Sequence, residues 1–133
     1  MAHSAKYLRV LASAAWRELS AMMRRGGTCD ACGARVGKGD LQAHHWHYET
    51  LGNEEPWDVS PLCSDCHSLA DTWRRAIVRA AKSYAATSGD ADWRRAARLI
   101  GRDYIRLLAR PALPGHQAIA LAGLRVLLEE EGR

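Results

Sequence analysis

The stretch AHHWHYETLGNEEPWDVSPLCSDCH, Ala43 to His67, holds four of the chain's six histidines and two of its four cysteines. Its closing pair, Cys63-x2-Cys66, has a counterpart upstream in Cys29-x2-Cys32. Two residues between thiolates let one tight turn aim both sulfurs at one ion, and Gly33 suits the turn that follows. Two such pairs complete a tetrahedral four-thiolate site for a structural Zn2+, with no cysteine left over. A closed site of this kind has no coordination position for substrate. Its expected work is to pin the start of the central segment to its end. At 133 residues and 47% hydrophobic, the chain can bury only a small core, which such a staple supplements.

The competing reading, a pair of disulfides, requires an oxidising compartment. The N-terminal stretch MAHSAKYLRVLASAAWRELSAMMRR argues against one. Arg9 and Arg17 interrupt its apolar run, and its spacing is that of an amphipathic helix rather than a signal peptide. No stretch reaches the roughly 18 apolar residues of a membrane span. The expected location is cytoplasmic, in a bacterial or phage-infected host cell.

The His44-His45 dyad lies between the cysteine pairs. Adjacent side chains on a strand point to opposite faces, so one histidine can ligate a metal while the other points elsewhere. His67 directly follows Cys66, and His67 and Asp71, four apart, share a helical face. One strand histidine plus a histidine and a carboxylate from one helical turn can hold a divalent ion, with positions open for water and a phosphate oxygen. Taken singly, each histidine reads more simply as a surface or hydrogen-bonded residue. Closing the cysteine site is what brings the two groups together. His47 would share the face of His45 if the strand continued, as a spare ligand, a phosphate contact or a plain surface residue.

The pattern Leu41-Gln42-Ala43-His44-His45-x2-Tyr48-x2-Leu51-Gly52-Asn53-Glu54, followed by Asp58-x3-Leu62-Cys63-x2-Cys66-His67, resembles the HNH endonucleases of the zinc-knuckle subtype. Cys29-x2-Cys32-Gly33 matches the knuckle that often precedes that motif, so the resemblance covers residues 29–71. It implies a ββα-metal (His-Me finger) core, in which a short hairpin and a helix clamp one catalytic divalent ion, Mg2+, Mn2+, Ni2+ or Zn2+. By position it implies His45 as the general base, with His44, His67 and Asp71 as ligands of the catalytic ion. Asp71 stands where the family often has histidine or asparagine. Asp58 stands where it usually has its central asparagine. An ionised aspartate accepts only, so Asp58 is expected to accept the Nδ1–H of His45 and raise its basicity. The implied reaction is hydrolysis of DNA to 5′-phosphate and 3′-hydroxyl ends.

Outside residues 29–71 the periodicity is helical. Leu8, Leu11, Ala15, Leu19 and Met22 mark one face of a helix over 4–24, with Ser4 as its cap. Leu69, Trp73, Ile77, Ala80, Ala81 and Tyr84 mark a second, from Ser64 to about Thr87. Trp93, Ala97, Ile100, Tyr104, Leu107 and Leu108 mark a third over 91–109, and Ile119, Leu124, Leu127 and Leu128 a fourth over 116–131. The expected fold is α+β and mostly helical. It is one domain, 1–133, with an N-terminal helix at 4–24, a zinc-stapled core at 28–82 and a C-terminal helical extension at 91–131.

The net charge of +4 is unevenly placed, since residues 71–110 carry ten Lys/Arg against four Asp/Glu. That asymmetry suggests a polyanionic partner, DNA first. Arg94, Arg98, Arg102 and Arg106 recur every four residues and form a slowly winding stripe that Arg110 continues, while Arg74, Arg75 and Arg79 precede them. These are expected phosphate contacts, against the simpler reading of a solvated helix face. Trp73, Trp93 and Tyr104 read as core before they read as base-stacking residues. A single site suits nicking by a monomer, and a duplex cut calls for a homodimer. Two other functions compete. One is a catalytically inactive zinc-stapled DNA- or protein-binding module on the same scaffold, favoured by Asp58 and Asp71. The other is a four-cysteine interaction domain with incidental histidines.

Overall fold

Serine caps set the first helices. The structure, a computed structural model, describes residues 4–89 and 92–109. Ser4 accepts from the Tyr7 N–H and opens α1, Ala5–Leu11. Ser13 accepts from the Trp16 N–H and opens α2, Ala14–Arg24, while its own hydroxyl donates to the Val10 carbonyl. The single helix expected over 4–24 is therefore two. The second cap resets the helical phase, so Val10 and Trp16 turn inward. Leu8 and Met22, expected on the buried side, are exposed.

Strand β1, Leu41–His45, pairs antiparallel with β2, Val59–Cys63, placing Leu41 opposite Cys63 and His45 opposite Val59. A two-stranded sheet has only edges, which is why Pro61 is tolerated within β2. The Pro61 carbonyl accepts from the Asp30 N–H at 2.8 Å, which docks the first cysteine knuckle on this strand. Helix α3, Ser64–Ser88, starts where β2 ends and stops at Gly89, whose φ of 75° makes the left-handed C-cap. Helix α4, Trp93–Ala109, runs back along α3. Lys82 lies over the Trp93 ring, Ile77 faces Gly101, and Trp73 meets Tyr104 edge to face. Among the described residues the architecture is α+β and mostly helical, with one two-stranded sheet. No helix among the described residues is long and apolar enough to cross a membrane. The helix expected over 116–131, and Arg110, lie outside the described residues.

The main core gathers Leu41, Trp46, Leu62, Ile77, Tyr104 and Ile105 around buried Cys29 and Cys66. A smaller cluster, Val10, Trp16 and Val59, fixes α1 and α2 to the sheet. Tyr104 is fully buried, and Trp73 and Trp93 pack against the main core. Tyr84, expected on the apolar side of α3, is exposed. Trp46 interrupts the histidine segment in sequence, yet it is completely buried and lies across Gly101 of α4.

That contact reverses the usual rule for glycine in a helix. Alanine normally stabilises a helix interior by about 1 kcal/mol over glycine. A Cβ at position 101 would stand 2.5 Å from the Trp46 ring and 3.2 Å from Ile77. Gly101→Ala is therefore expected to destabilise the fold by about 1–3 kcal/mol, read as a lower thermal midpoint by circular dichroism. A raised midpoint would contradict this packing.

Candidate functional site

Both cysteine pairs come from tight local turns. The Cys29 N–H donates to the Ala34 carbonyl and the Gly33 N–H to the Cys29 carbonyl, with Gly33 at a φ of 77°. Cys63 ends β2 and is the N-cap of α3, whose first turn carries Cys66. The four cysteines are free thiols, and their sulfurs lie within 4.8 Å of one another. Cys32 and Cys63 are 3.9 Å apart. Zn–S bonds of about 2.3 Å set tetrahedral sulfurs about 3.8 Å apart, so the cluster has the dimensions of a zinc site and not of disulfides. Crowding polarises the set. The hydrogen bond from Cys66 pulls the Cys29 thiol down to about 4, while that same bond, with burial, pushes Cys66 far up. The α3 N-terminus adds a favourable field for thiolate. These residues could hold a structural zinc.

Alternation along β1 sends the two dyad histidines to different environments. His44, fully buried, faces His67 and Asp71, and the three form a second group whose ligand atoms lie within 4.8 Å. His44 Nδ1 is 3.5 Å from Asp71 Oδ1, and His67 Nδ1 is 3.6 Å from Asp71 Oδ2. Arg74 Nη2 lies 3.3 Å from His44 Nδ1 and donates to Asp71 Oδ1 at 2.7 Å. Burial pushes His44 down to about 4 and lowers His67 as well, the direction that favours the neutral ring a metal ligand needs. Contact with His44, joined by His67 and Arg74, holds the Asp71 carboxyl well below the usual carboxylate range. Two neutral imidazoles and a carboxylate suit a divalent ion of the Mn2+, Ni2+ or Zn2+ kind. Among the described residues His44 Nε2 is buried without a hydrogen-bond partner, beside the Trp46 ring. His67 and Asp71 open the group to solvent, with side chains 26% and 46% exposed.

His45 turns the other way, under α1 and α2. Its ring stacks on Trp16 at 4.3 Å and 17°, with Tyr7 and Tyr48 at its edges. Burial lowers its pKa, opposed by Glu54. Nε2 faces Glu54 Oε2 at 2.9 Å. The expected partner, Asp58, does not touch it. Asp58 Oδ1 instead accepts from His47 Nε2 at 2.8 Å, and Oδ2 accepts from the Thr50 hydroxyl and the Glu55 N–H. His47 Nδ1 accepts the Glu49 N–H at 3.2 Å. His47 is therefore a buried loop anchor, not a surface residue or spare ligand. The reason lies in the chain path, since β1 ends at His45 and His47 bends away from it, towards the 3-10 turn Pro56–Asp58 and Trp93. Asp58 ties the 46–58 loop with three accepted hydrogen bonds, for which an acceptor-only carboxylate suffices. Glu54, part of the quoted pattern but assigned no role from sequence, is the residue that sequence reasoning missed.

The arginines divide. Arg74 belongs to the His44–Asp71 group, and its Nε also donates to the His45 carbonyl at 2.9 Å. Arg98 donates to Ser60 Oγ and Asp30 Oδ2, both at 3.3 Å, and Arg106 donates to the Ala31 carbonyl, so these two brace α4 against the cysteine knuckle. Arg102 lies 3.5 Å from Asp103. Arg94 pairs with Asp92 at 3.1 Å. Arg75 and Arg79 are exposed on α3. The stripe expected along α4 is thus in part an internal seam.

Metal removal tests the cysteine cluster. Purified protein is expected to carry one tightly held zinc, measured by plasma mass spectrometry. Cys66→Ser, or a strong chelator, should release it and abolish cooperative thermal melting. A chain that melts unchanged without zinc would show that the core stands without the staple.

Comparison with protein-family models, with curated proteins and with solved structures gives no match, so the reading of this site rests on its own geometry.

Proposed function

We propose that the chain is a metal-dependent endonuclease of the HNH kind, hydrolysing DNA phosphodiester bonds on a ββα-metal core with His45 as general base. The observation that carries this reading is the convergence of His44, from the hairpin, with His67 and Asp71, from the first turns of the following helix. The group is open to solvent on the α3 side, and α3 carries exposed Arg75 and Arg79. When bound there, a divalent ion supplies Lewis acidity to the scissile phosphate and its leaving oxygen. His44 and His67 bring neutral imidazole donors, and Asp71 brings negative charge. Arg74 adds a fixed positive charge beside them, set by its bonds to Asp71 and the His45 carbonyl. His45, whose pKa burial lowers, accepts a proton from water. Exposed arginines on α3 give affinity for the phosphate backbone without reading sequence.

One observation favours the second reading, a non-catalytic binding module. The His45 side chain is only 2% exposed, covered by Trp16 and Tyr7. Turnover requires α1 to part from the dyad, whereas a binding module has no such need.

Supercoiled plasmid separates the two. With Mg2+, Mn2+, Ni2+ or Zn2+ the protein should nick it, with EDTA it should not, and His45→Ala should lose roughly two to four orders of magnitude in rate. Absence of nicking under every metal, or equal nicking by the variant, would sink the enzymatic reading. For the charged surface, Arg75→Ala/Arg79→Ala should flatten the slope of log binding constant against log salt by up to about 1.8. Arg106→Ala should instead lower the melting temperature and leave that slope alone. The opposite pattern would return the α4 row to the DNA interface.

A further inference from the structure

The group holding His45 is a carboxylate, and it is itself held at both oxygens. Glu54 Oε2 lies 2.9 Å from His45 Nε2, while Oε1 accepts the Gly52 N–H at 2.9 Å. Gly52 has a φ of +92°, a conformation that favours glycine, and the Asn53 N–H closes the same turn onto the Thr50 carbonyl at 2.8 Å. The two side chains are 5% and 2% exposed, so the pair is screened from water. Trp16 stacks on the imidazole and sets its plane. Ring plane, ring rotation and carboxylate orientation are therefore each fixed by a different contact. Nε2 is the one ring nitrogen of His45 that hydrogen-bonds within the described residues.

We propose that Glu54 is the positioning residue of His45. It holds the imidazole through Nε2–H···Oε2, fixes the Nε2–H tautomer, and leaves Nδ1 as the nitrogen that accepts a proton. This rests on the reading of His45 as general base. A carboxylate only accepts, which puts the proton on Nε2. Water gives a proton to Nδ1, its oxygen bonds to phosphorus, the bond from phosphorus to the 3′ oxygen breaks, and that oxygen takes a proton from solvent. The imidazolium so formed lies against Glu54, then returns its proton to solvent. The arrangement is that of a histidine oriented and electrostatically supported by a buried acid. Asp58, the acid expected there, does the same for a histidine that only anchors the loop.

The tautomer can be read without any turnover. In 15N-labelled zinc-loaded protein, long-range 1H–15N correlation spectra should show His45 protonated at Nε2 and bare at Nδ1. Glu54→Ala should lose that signature and populate both tautomers. An Nδ1–H form in the wild type, or an unchanged His45 pattern in the variant, would overturn the proposal. In the nicking assay, Glu54→Ala should lower kcat roughly 10- to 100-fold with little change in KM, and Glu54→Gln should recover part of the loss. Zinc content and melting temperature serve as folding controls. Faster nicking by Glu54→Ala would overturn the proposal and mark Glu54 as a plug on the base. If the wild type nicks nothing, the nuclease reading falls, and the tautomer spectra still decide whether Glu54 positions His45.

Discussion

Four sulfur atoms that come within one coordination sphere tie the turn at Cys29–Cys32 to the junction of β2 and α3. The four sulfurs lie within 4.8 Å of one another, so any thiolate among them crowds its neighbours. A cation of zinc's size and charge would relieve that crowding, and its binding free energy would become folding free energy. The consequence reaches beyond the cysteines. A zinc held there would pin the first turn of α3 and give His67 and Asp71 a defined aim, one residue and five residues past Cys66.

A buried polar chain carries the constraint across the molecule. Trp46 Nε1 donates to Ser60 Oγ at 2.9 Å, Ser60 donates to Asp30 Oδ2 at 2.6 Å, and Arg98 from α4 reaches both Ser60 and Asp30. Strand, knuckle and α4 thus share one network, each member of which is costly to bury alone. It also explains why arginine occupies these places in α4. A planar guanidinium can bridge a hydroxyl and a carboxylate at once, which an ammonium does less well. The seam and the packing of Trp46 over Gly101 fix the same helix, one by directed bonds and one by shape.

Three histidines within four residues end in three unlike settings. His44 is a buried imidazole facing Asp71, His45 is clamped between Trp16 and Glu54, and His47 anchors the loop through Asp58. Strand alternation separates the first two, and the end of the strand frees the third. A carboxylate stands against each of the three, Asp71, Glu54 and Asp58 in turn, so none of these buried rings faces apolar surroundings alone.

Local chemistry made much of this legible in the sequence. The Cys-x2-Cys spacing, the helical step from His67 to Asp71 and the apolar periodicity of α3 and α4 each depend on a few neighbouring residues, and both candidate metal groups formed as their spacing implied. Ser13 was equally local, a capping residue within an apolar run, and reading it as a cap would have divided the first helix. Other assignments required the tertiary structure. Which of Glu54 and Asp58 meets His45 depends on how the 46–58 loop crosses itself, and no periodicity reports a loop's path. Whether Arg98 and Arg106 face water or the knuckle depends on what α4 packs against, since helical spacing groups residues on a face without saying what that face meets. Sequence by itself determined which side chains could act together through one turn or one strand step. The tertiary structure alone decided partners across the chain, because hydrogen bonds between distant segments are chosen by packing and the burial of charge, and neither is written in local spacing.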